Sequence, residues 1–335
     1  MLITRTPLRV SLFGGGSDLP GYYSQFGGSV FSFAVNRYIY ISAHPLVESP
    51  DVLLKYSLLE RVDDVDQIKH PVFREVIRRY RINSIDIGVS SDIPAGTGLG
   101  SSSSFTVGVL NTLRHHVGLT SSKRGLAEEA CEVEIERLGE PIGVQDQFVA
   151  AFGGCNLLTI ARSGHVSVES FSDSSEFNSL IQKNIILVRV PGTRSASDLL
   201  RAQRERISEP QQLKIYHELR DIAIDGVGNL ARGPEYLGGL LNRSWILKRT
   251  LSAQVSNPAI DEMYSKLLAD GAYGGKLLGA GGAGYFLVIA PQLLIENLEE
   301  DQRYTTIRPG LDLDGSKIIY DSTEGDSGAT AEVKF

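Results

Sequence analysis

Pro94-Ala95-Gly96-Thr97-Gly98-Leu99-Gly100-Ser101-Ser102-Ser103-Ser104 is the stretch on which the reading of this sequence turns. Ahead of it, Ile85, Ile87 and Val89 recur at every second position, the period of a strand. Behind it, residues 101–116 read as a helix. Glycines at 96, 98 and 100 let several backbone N–H groups turn toward one point, and four serines follow at the positive end of the helix. Free amides, a favourable dipole and hydroxyls together suit a phosphate group. No Gly-Lys-Ser/Thr follows, so this is not a Walker A loop. Read alone, the stretch is also compatible with a plain surface turn before a helix.

The rest of the chain sets bounds. It has 335 residues, enough for one or two domains, and an ordinary soluble composition of 42% hydrophobic and 22% charged residues. A formal net charge of −7 argues against nucleic acid as a general partner, because a phosphate backbone rewards excess Lys and Arg. Cys131 and Cys155 are too few for a disulfide framework; they read as small core residues of a reducing, cytoplasmic compartment. We expect no signal peptide, and no window approaches the ~20 apolar residues of a membrane span. The 35 glycines are clustered, a sign of backbone close to a ligand or of turns with positive φ.

Strands and helices mix without strict βα alternation, which predicts an α+β chain. Residues 2–13 read as a strand with one buried face, and 29–43 as one or two strands. Helices are expected over 72–80 and 123–138, the latter closed by Gly139. In the second half, 182–190 reads as a strand. Helices are expected at 196–207, 211–231, 236–252 and 258–270, then a glycine-rich loop at 271–284. A strand at 285–290, a helix at 292–299 and strands near 304–307 and 317–320 complete the pattern. The polar tail from 321 reads as frayed.

Several residues can carry chemistry. Glu134 shares the inner stripe of helix 123–138 with Ala127, Ala130, Cys131 and Leu138. Glu128, Glu132 and Glu136 read as its solvated side. An ionised carboxylate on the inner stripe must be paired with an Arg or must bind a cation. Asp146, in Gly143-Val144-Gln145-Asp146-Gln147, is placed either to orient an attacking hydroxyl or to cap the next helix. Arg9 and Asp18 flank the run Gly14-Gly15-Gly16, where an Arg can neutralise developing charge and an Asp can grip sugar hydroxyls. Gly279-Ala280-Gly281-Gly282-Ala283-Gly284 matches a dinucleotide-binding pattern, but a strand follows it where that pattern needs a helix. It reads instead as a tight loop whose backbone approaches a ligand or another loop.

Together these pieces resemble the GHMP small-molecule kinases. Pro7 to Asp18 looks like the family's first motif, Pro94 to Ser104 like its ATP loop, and Lys276 to Gly284 like its third motif. The resemblance implies an N-terminal domain similar to ribosomal protein S5 domain 2 (residues 1–180) and a ferredoxin-like C-terminal domain (181–335). It implies ATP as phosphoryl donor, held by Pro94, Gly96, Thr97, Gly98, Leu99, Gly100, Ser101, Ser102 and Ser103. It implies Mg²⁺ on Ser102 and Glu134, with Asp146 and Arg9 catalytic. Gly14 to Pro20, Tyr22-Tyr23, Lys55-Tyr56-Ser57, His70-Pro71 and Thr193 to Ser197 look like the D-glycero-D-manno-heptose 7-phosphate kinase branch. For that branch the implied reaction phosphorylates the anomeric C1 hydroxyl of a sugar phosphate, toward nucleotide-activated heptose. Gly15, Gly16, Ser17, Asp18, Arg194, Gly281 and Gly282 are the implied substrate residues. Other sugar kinases, or a non-catalytic sugar- and ATP-binding regulator on the same fold, are the alternatives. No membrane or nucleic-acid partner is expected, and a homodimer is left open.

Overall fold

The computed structural model describes residues 1–192, 201 and 205–322. β1 (Leu2–Phe13) and β2 (Gly28–Pro45) form a long antiparallel pair, with helix α1 (Pro20–Phe26) between them. Ser29 to Ala43 is one strand, not two: β2 runs unbroken for 18 residues. Its second half pairs with β5 (Ile85–Ser91), and its first half with β6 (Cys155–Ile160). β3 (Val52–Lys55) and β4 (Leu59–Val62) extend the sheet beyond β5, and β7 (Val166–Ser170) extends it beyond β6. α2 (Pro71–Tyr80), α3 (Ser101–His116), α4 (Lys123–Cys131) and α5 (Gln145–Phe152) complete this half.

α6 (Ser175–Asn184) leads into β8 (Ile185–Val190). After it come α7 (Pro210–Gly228), α8 (Gly233–Leu251), α9 (Pro258–Ala269) and β9 (Gly274–Leu277). The second half continues with β10 (Gly284–Ile289), α10 (Gln292–Glu300) and β11 (Thr306–Ile307). The second sheet has the order β11-β8-β10-β9, and every neighbouring pair is antiparallel. That order, fourth-first-third-second along the chain, is the ferredoxin-like arrangement expected for the C-terminal half. Trp245 packs edge-on against Phe286 at 5.5 Å, and Tyr264 stacks on Phe286 at 5.4 Å. Full burial of each such ring contributes roughly 1.5–3 kcal/mol. β12 (Lys317–Asp321) then crosses back and closes the first sheet against β1. The chain is α+β throughout, and among the described residues no helix is long and apolar enough to cross a membrane.

Four local expectations are corrected. β1 is covered on both faces from Thr6 onward, because α3 and α5 pack on the β1–β2 pair and so do α7 and α8 from the second half. Arg9 and Ser11, which strand alternation alone assigns to solvent, are buried on this covered strand, Arg9 against Asp146 and the Gly98–Gly100 backbone. The helix expected over 123–138 is α-helical only to Cys131. From Glu132 to Arg137 it widens into π turns, marked by the Leu138 N–H donating to the Val133 carbonyl five residues back. The strand expected from 182 begins at Ile185, because Ser174 caps α6 by accepting from the Phe177 N–H and the helix runs on to Asn184. β9 lies inside the stretch expected to be a loop. A side chain at Gly274 would put a Cβ 1.9 Å from the Gly238 carbonyl oxygen, so glycine lets this strand lie directly on α8. The expected helix over 196–207 falls mostly outside the described residues.

Candidate active site

The glycine–serine loop ends where α3 begins, at Ser101 as expected, with Gly100 in the left-handed region and no side chain capping the helix. The first amides of α3 are therefore left for a ligand. The loop is held from below by the third glycine cluster. A Cβ at Gly98 would sit 2.6 Å from the Leu278 carbonyl oxygen, and one at Gly284 would sit 2.5 Å from the Thr97 carbonyl oxygen. The two glycine motifs are each other's close-approach partner, the second of the two readings the sequence offered for 279–284.

Arg9 and Asp146 face each other across the floor of the site. Arg9 Nε donates to Asp146 Oδ1 at 2.6 Å and Nη2 to Oδ2 at 2.5 Å, a two-pronged ion pair. Arg9 Nη1 donates to the Gly98 carbonyl at 2.6 Å, so the same guanidinium pins the loop. Asp146 lies in the first turn of α5, but Val144 is the cap and no side chain caps the helix. The capping alternative is therefore set aside. Each Asp146 oxygen keeps a lone pair for a substrate hydroxyl.

Glu134 is 1% exposed. Thr106 Oγ1 donates to its Oε1 at 3.0 Å, Ser102 Oγ to Oε1 at 3.3 Å and Gln147 Nε2 to Oε2 at 2.7 Å. Burial pushes its carboxyl up to about 7, although hydrogen bonds from serine, glutamine and threonine side chains pull it back. No Lys, Arg or His pairs with it among the described residues. A buried carboxylate beside the loop hydroxyls, with no cation of its own, fits a hard divalent ion that also takes phosphate oxygens. Outside this stripe, Glu128 and Glu136 are exposed and Glu132 pairs with Arg79 and Arg137.

Two cavities meet at the Arg9–Asp146 pair. The larger, about 650 Å³, runs from Gly96, Gly98 and Gly100 to Ser103 out to Ile39, Tyr56, His70, Val89 and Phe105. The smaller, about 130 Å³, is walled by Gly15, Gly16, Asp18, Tyr216 and Lys276. Both are lined by Arg9, Ile142, Asp146, Gly279 and Ala280. In the smaller one, Asp18 accepts from the Gly16 N–H at 2.8 Å and the Gln145 N–H at 3.3 Å. Burial, with Asp146 nearby, still raises its carboxyl above the ordinary range. Position 143 must be glycine, since a Cβ there would lie 1.9 Å from Asp18 Oδ2.

Of the expected ATP residues, Gly96, Gly98, Gly100, Ser101, Ser102 and Ser103 line the larger cavity. Thr97 and Leu99 are fully buried and turn inward, and Pro94 is exposed beside it; none of the three lines it. Gly15, Gly16 and Asp18 line the smaller cavity, but Ser17 does not. The Ser17 hydroxyl donates within 2.9 Å to the Gly14 and Ser29 carbonyls and braces the loop from inside. Gly281 and Gly282 also fall outside it, tucked against Val255, while Gly279 and Ala280 take the lining positions. Arg194 lies outside the described residues. Sequence reasoning gave no role to Ser11, Tyr216, Lys248 or the side chain of Lys276, which line the smaller cavity, nor to Tyr56 and His70 individually in the larger. Burial pushes the Cys131 and Cys155 thiols well up, in keeping with their reading as core residues.

The family model for the GHMP kinases N terminal domain matches residues 67–154, and that for the GHMP kinases C terminal domain matches residues 227–302. The chain carries both GHMP kinase domains. It is 29% identical over 318 residues to the D-glycero-alpha-D-manno-heptose 7-phosphate kinase of Campylobacter jejuni, covering 90% of this chain and 94% of that one. It is 25% identical over 329 residues to the galactokinase of Thermotoga maritima, covering 89% and 91%. Among solved structures, a D-glycero-D-manno-heptose 1-phosphate kinase from Bacteroides thetaiotaomicron superposes with a TM-score of 0.76. That likeness is at 23% identity and covers 96% of this chain and 100% of that one, and it speaks for the fold. The kinase is thus a phosphotransferase acting on a sugar hydroxyl with ATP as donor. In the kinase's first domain lie the glycine–serine loop, Glu134 and Asp146. The second half of the chain brings Leu278 to Gly284 against that loop and adds Tyr216, Lys248 and Lys276 to the smaller cavity.

Proposed function

We propose that the kinase transfers the γ-phosphoryl group of ATP to the anomeric C1 hydroxyl of D-glycero-D-manno-heptose 7-phosphate, giving the 1,7-bisphosphate. The observation that carries this reading is the meeting of the two cavities at the Arg9–Asp146 pair. A nucleotide in the larger cavity, its phosphates on the α3 amides, has its terminal phosphate at that junction. A sugar in the smaller cavity presents a hydroxyl to the same carboxylate. The likeness to the Campylobacter kinase and the motif Gly14 to Pro20 support the heptose as acceptor.

Asp146 orients the C1 hydroxyl and takes its proton as the new O–P bond forms and the bond to the β-phosphate oxygen breaks, releasing ADP. Arg9 holds Asp146 by both oxygens and so fixes the direction of attack, and its charge lies beside the moving phosphoryl group. This sharpens its expected part: positioning the carboxylate comes first. Asp18 takes sugar hydroxyls. Ser102 and Glu134 would hold Mg²⁺, which would screen the negative charge of the phosphates. Little covalent help is needed, because positioning and electrostatics supply most of the acceleration in phosphoryl transfer. The test is ADP release measured across heptose 7-phosphate, fucose, mannose and galactose. Turnover of the heptose 7-phosphate at the highest kcat/KM is expected. Activity only with an unphosphorylated sugar overturns the assignment.

A further inference from the structure

The smaller cavity has two chemically different walls. The wall from the first domain carries the acids, Asp18 and Asp146. The wall from the C-terminal domain carries two lysines: Lys248 on α8, whose Nζ donates to the Leu277 and Gly279 carbonyls, and Lys276 on β9. Lys276 is only 6% exposed, and among the described residues its ammonium has no hydrogen-bond or ion-pair partner. Neither acid forms an ion pair with it, although the Asp18 charge favours its protonated form. Asp146 is taken up by both prongs of Arg9, and Asp18 by the Gly16 and Gln145 N–H groups. The fully buried Tyr216 hydroxyl in the same cavity is also unpartnered, as is that of Ser11. A buried ammonium without a direct ion-pair partner is costly, and a ligand that supplies the opposite charge offsets that cost.

We infer that the C-terminal wall reads the phosphate already present on the acceptor sugar, with Lys276 as its counter-cation and the Tyr216 hydroxyl as a second donor. This rests on the heptose 7-phosphate reading above and places the phosphate on described residues, where the sequence offered Arg194. The two walls then sort the substrate. Hydroxyls face Asp18 and Asp146, and the anionic end faces the lysines, so the C1 hydroxyl is delivered to Asp146. Burial, with Arg9 close by, pushes the Lys276 ammonium down to about 7 even though the Asp18 charge pulls it back up, so the empty cavity holds it only partly charged near neutral pH. A phosphate dianion beside it restores the full charge. A neutral sugar hydroxyl does not.

The experiment compares wild type with Lys276→Met and Tyr216→Phe on D-glycero-D-manno-heptose 7-phosphate and on the unphosphorylated heptose. Losing the partner of a buried charge pair costs on the order of thirtyfold or more. Lys276→Met is therefore expected to raise KM for the 7-phosphate by about that factor, with KM for ATP and for the unphosphorylated heptose within twofold. Tyr216→Phe moves the same ratio in the same direction by less. Thermal unfolding adds a readout independent of turnover: heptose 7-phosphate no longer raises the Tm of Lys276→Met, while ATP still does. An unchanged KM for the 7-phosphate, or an equal rise for both sugars, overturns this inference and leaves the proposed function standing. A wild type that ignores the 7-phosphate overturns both.

Discussion

Replacing Glu134 with Gln separates a binding role from a structural one. The Glu134 carboxyl lies at about 7 in the fold against an ordinary 4.5, chiefly because it is buried. At about 1.4 kcal/mol for each pH unit, holding it ionised above pH 7 costs the empty fold about 3 kcal/mol. Below pH 4.5 the group is protonated in both folded and unfolded chains, and Glu134→Gln should match wild type. Between 4.5 and about 7 the unfolded chain releases the proton first, so wild type loses stability relative to the variant. Above 7 the gap stays level. The variant suits the site, because Gln147 Oε1 is a buried acceptor without a partner and can receive the new amide once Gln147 flips. Urea unfolding without nucleotide or metal, at pH 4.5, 6 and 8, should find Glu134→Gln more stable at pH 8 by up to about 3 kcal/mol. Adding Mg²⁺ and ATP should reverse the order, since only wild type offers the carboxylate. A variant less stable than wild type at pH 8, or a gap independent of pH, refutes the reasoning and makes Glu134 a structural acid.

Asp146→Asn should lower kcat by on the order of 10²–10⁴-fold and leave KM for ATP within twofold, measured by steady-state ADP release; full activity removes Asp146 from its role. Gly98→Ala meets both a positive φ of 82° and the Leu278 carbonyl, whereas Gly96→Ala at φ 78° meets nothing within 4 Å. Gly96→Ala should cost about 1–2 kcal/mol in urea unfolding. Gly98→Ala should cost more and raise KM for ATP, and equal effects would contradict the contact between the two glycine loops.

Much of this was legible in the residues because the informative signals are local. The strand before Pro94, the glycines and the serine run predicted the start and end of α3, and helical spacing put Glu134 inside even though the helix widens around it. What stayed hidden depends on the second layer. Arg9 and Ser11 are buried because β1 is covered on both faces, by helices of the second half and, at Arg9, by Asp146 and the glycine–serine loop, contacts no alternation pattern records. A motif marks which backbone approaches the ligand but not which side chains turn inward. Thr97, Leu99, Ser17, Gly281 and Gly282 therefore shape the loops without lining the cavities. Tyr216, Lys248 and Lys276 lie far apart along the chain and meet only when α7, α8 and β9 converge. Lys276 was visible as the first residue of the third motif, and its unpaired charge appears only with its burial.

The position of the new phosphate is the most direct measure of the central claim. Wild-type kinase, ATP, Mg²⁺ and D-glycero-D-manno-heptose 7-phosphate are incubated together, and the sugar product is followed by ³¹P NMR. The account predicts one ADP per turnover and a product with two phosphates, the second coupled to the anomeric proton. A second phosphate on any other hydroxyl, or ADP release that the sugar phosphate does not stimulate, contradicts it.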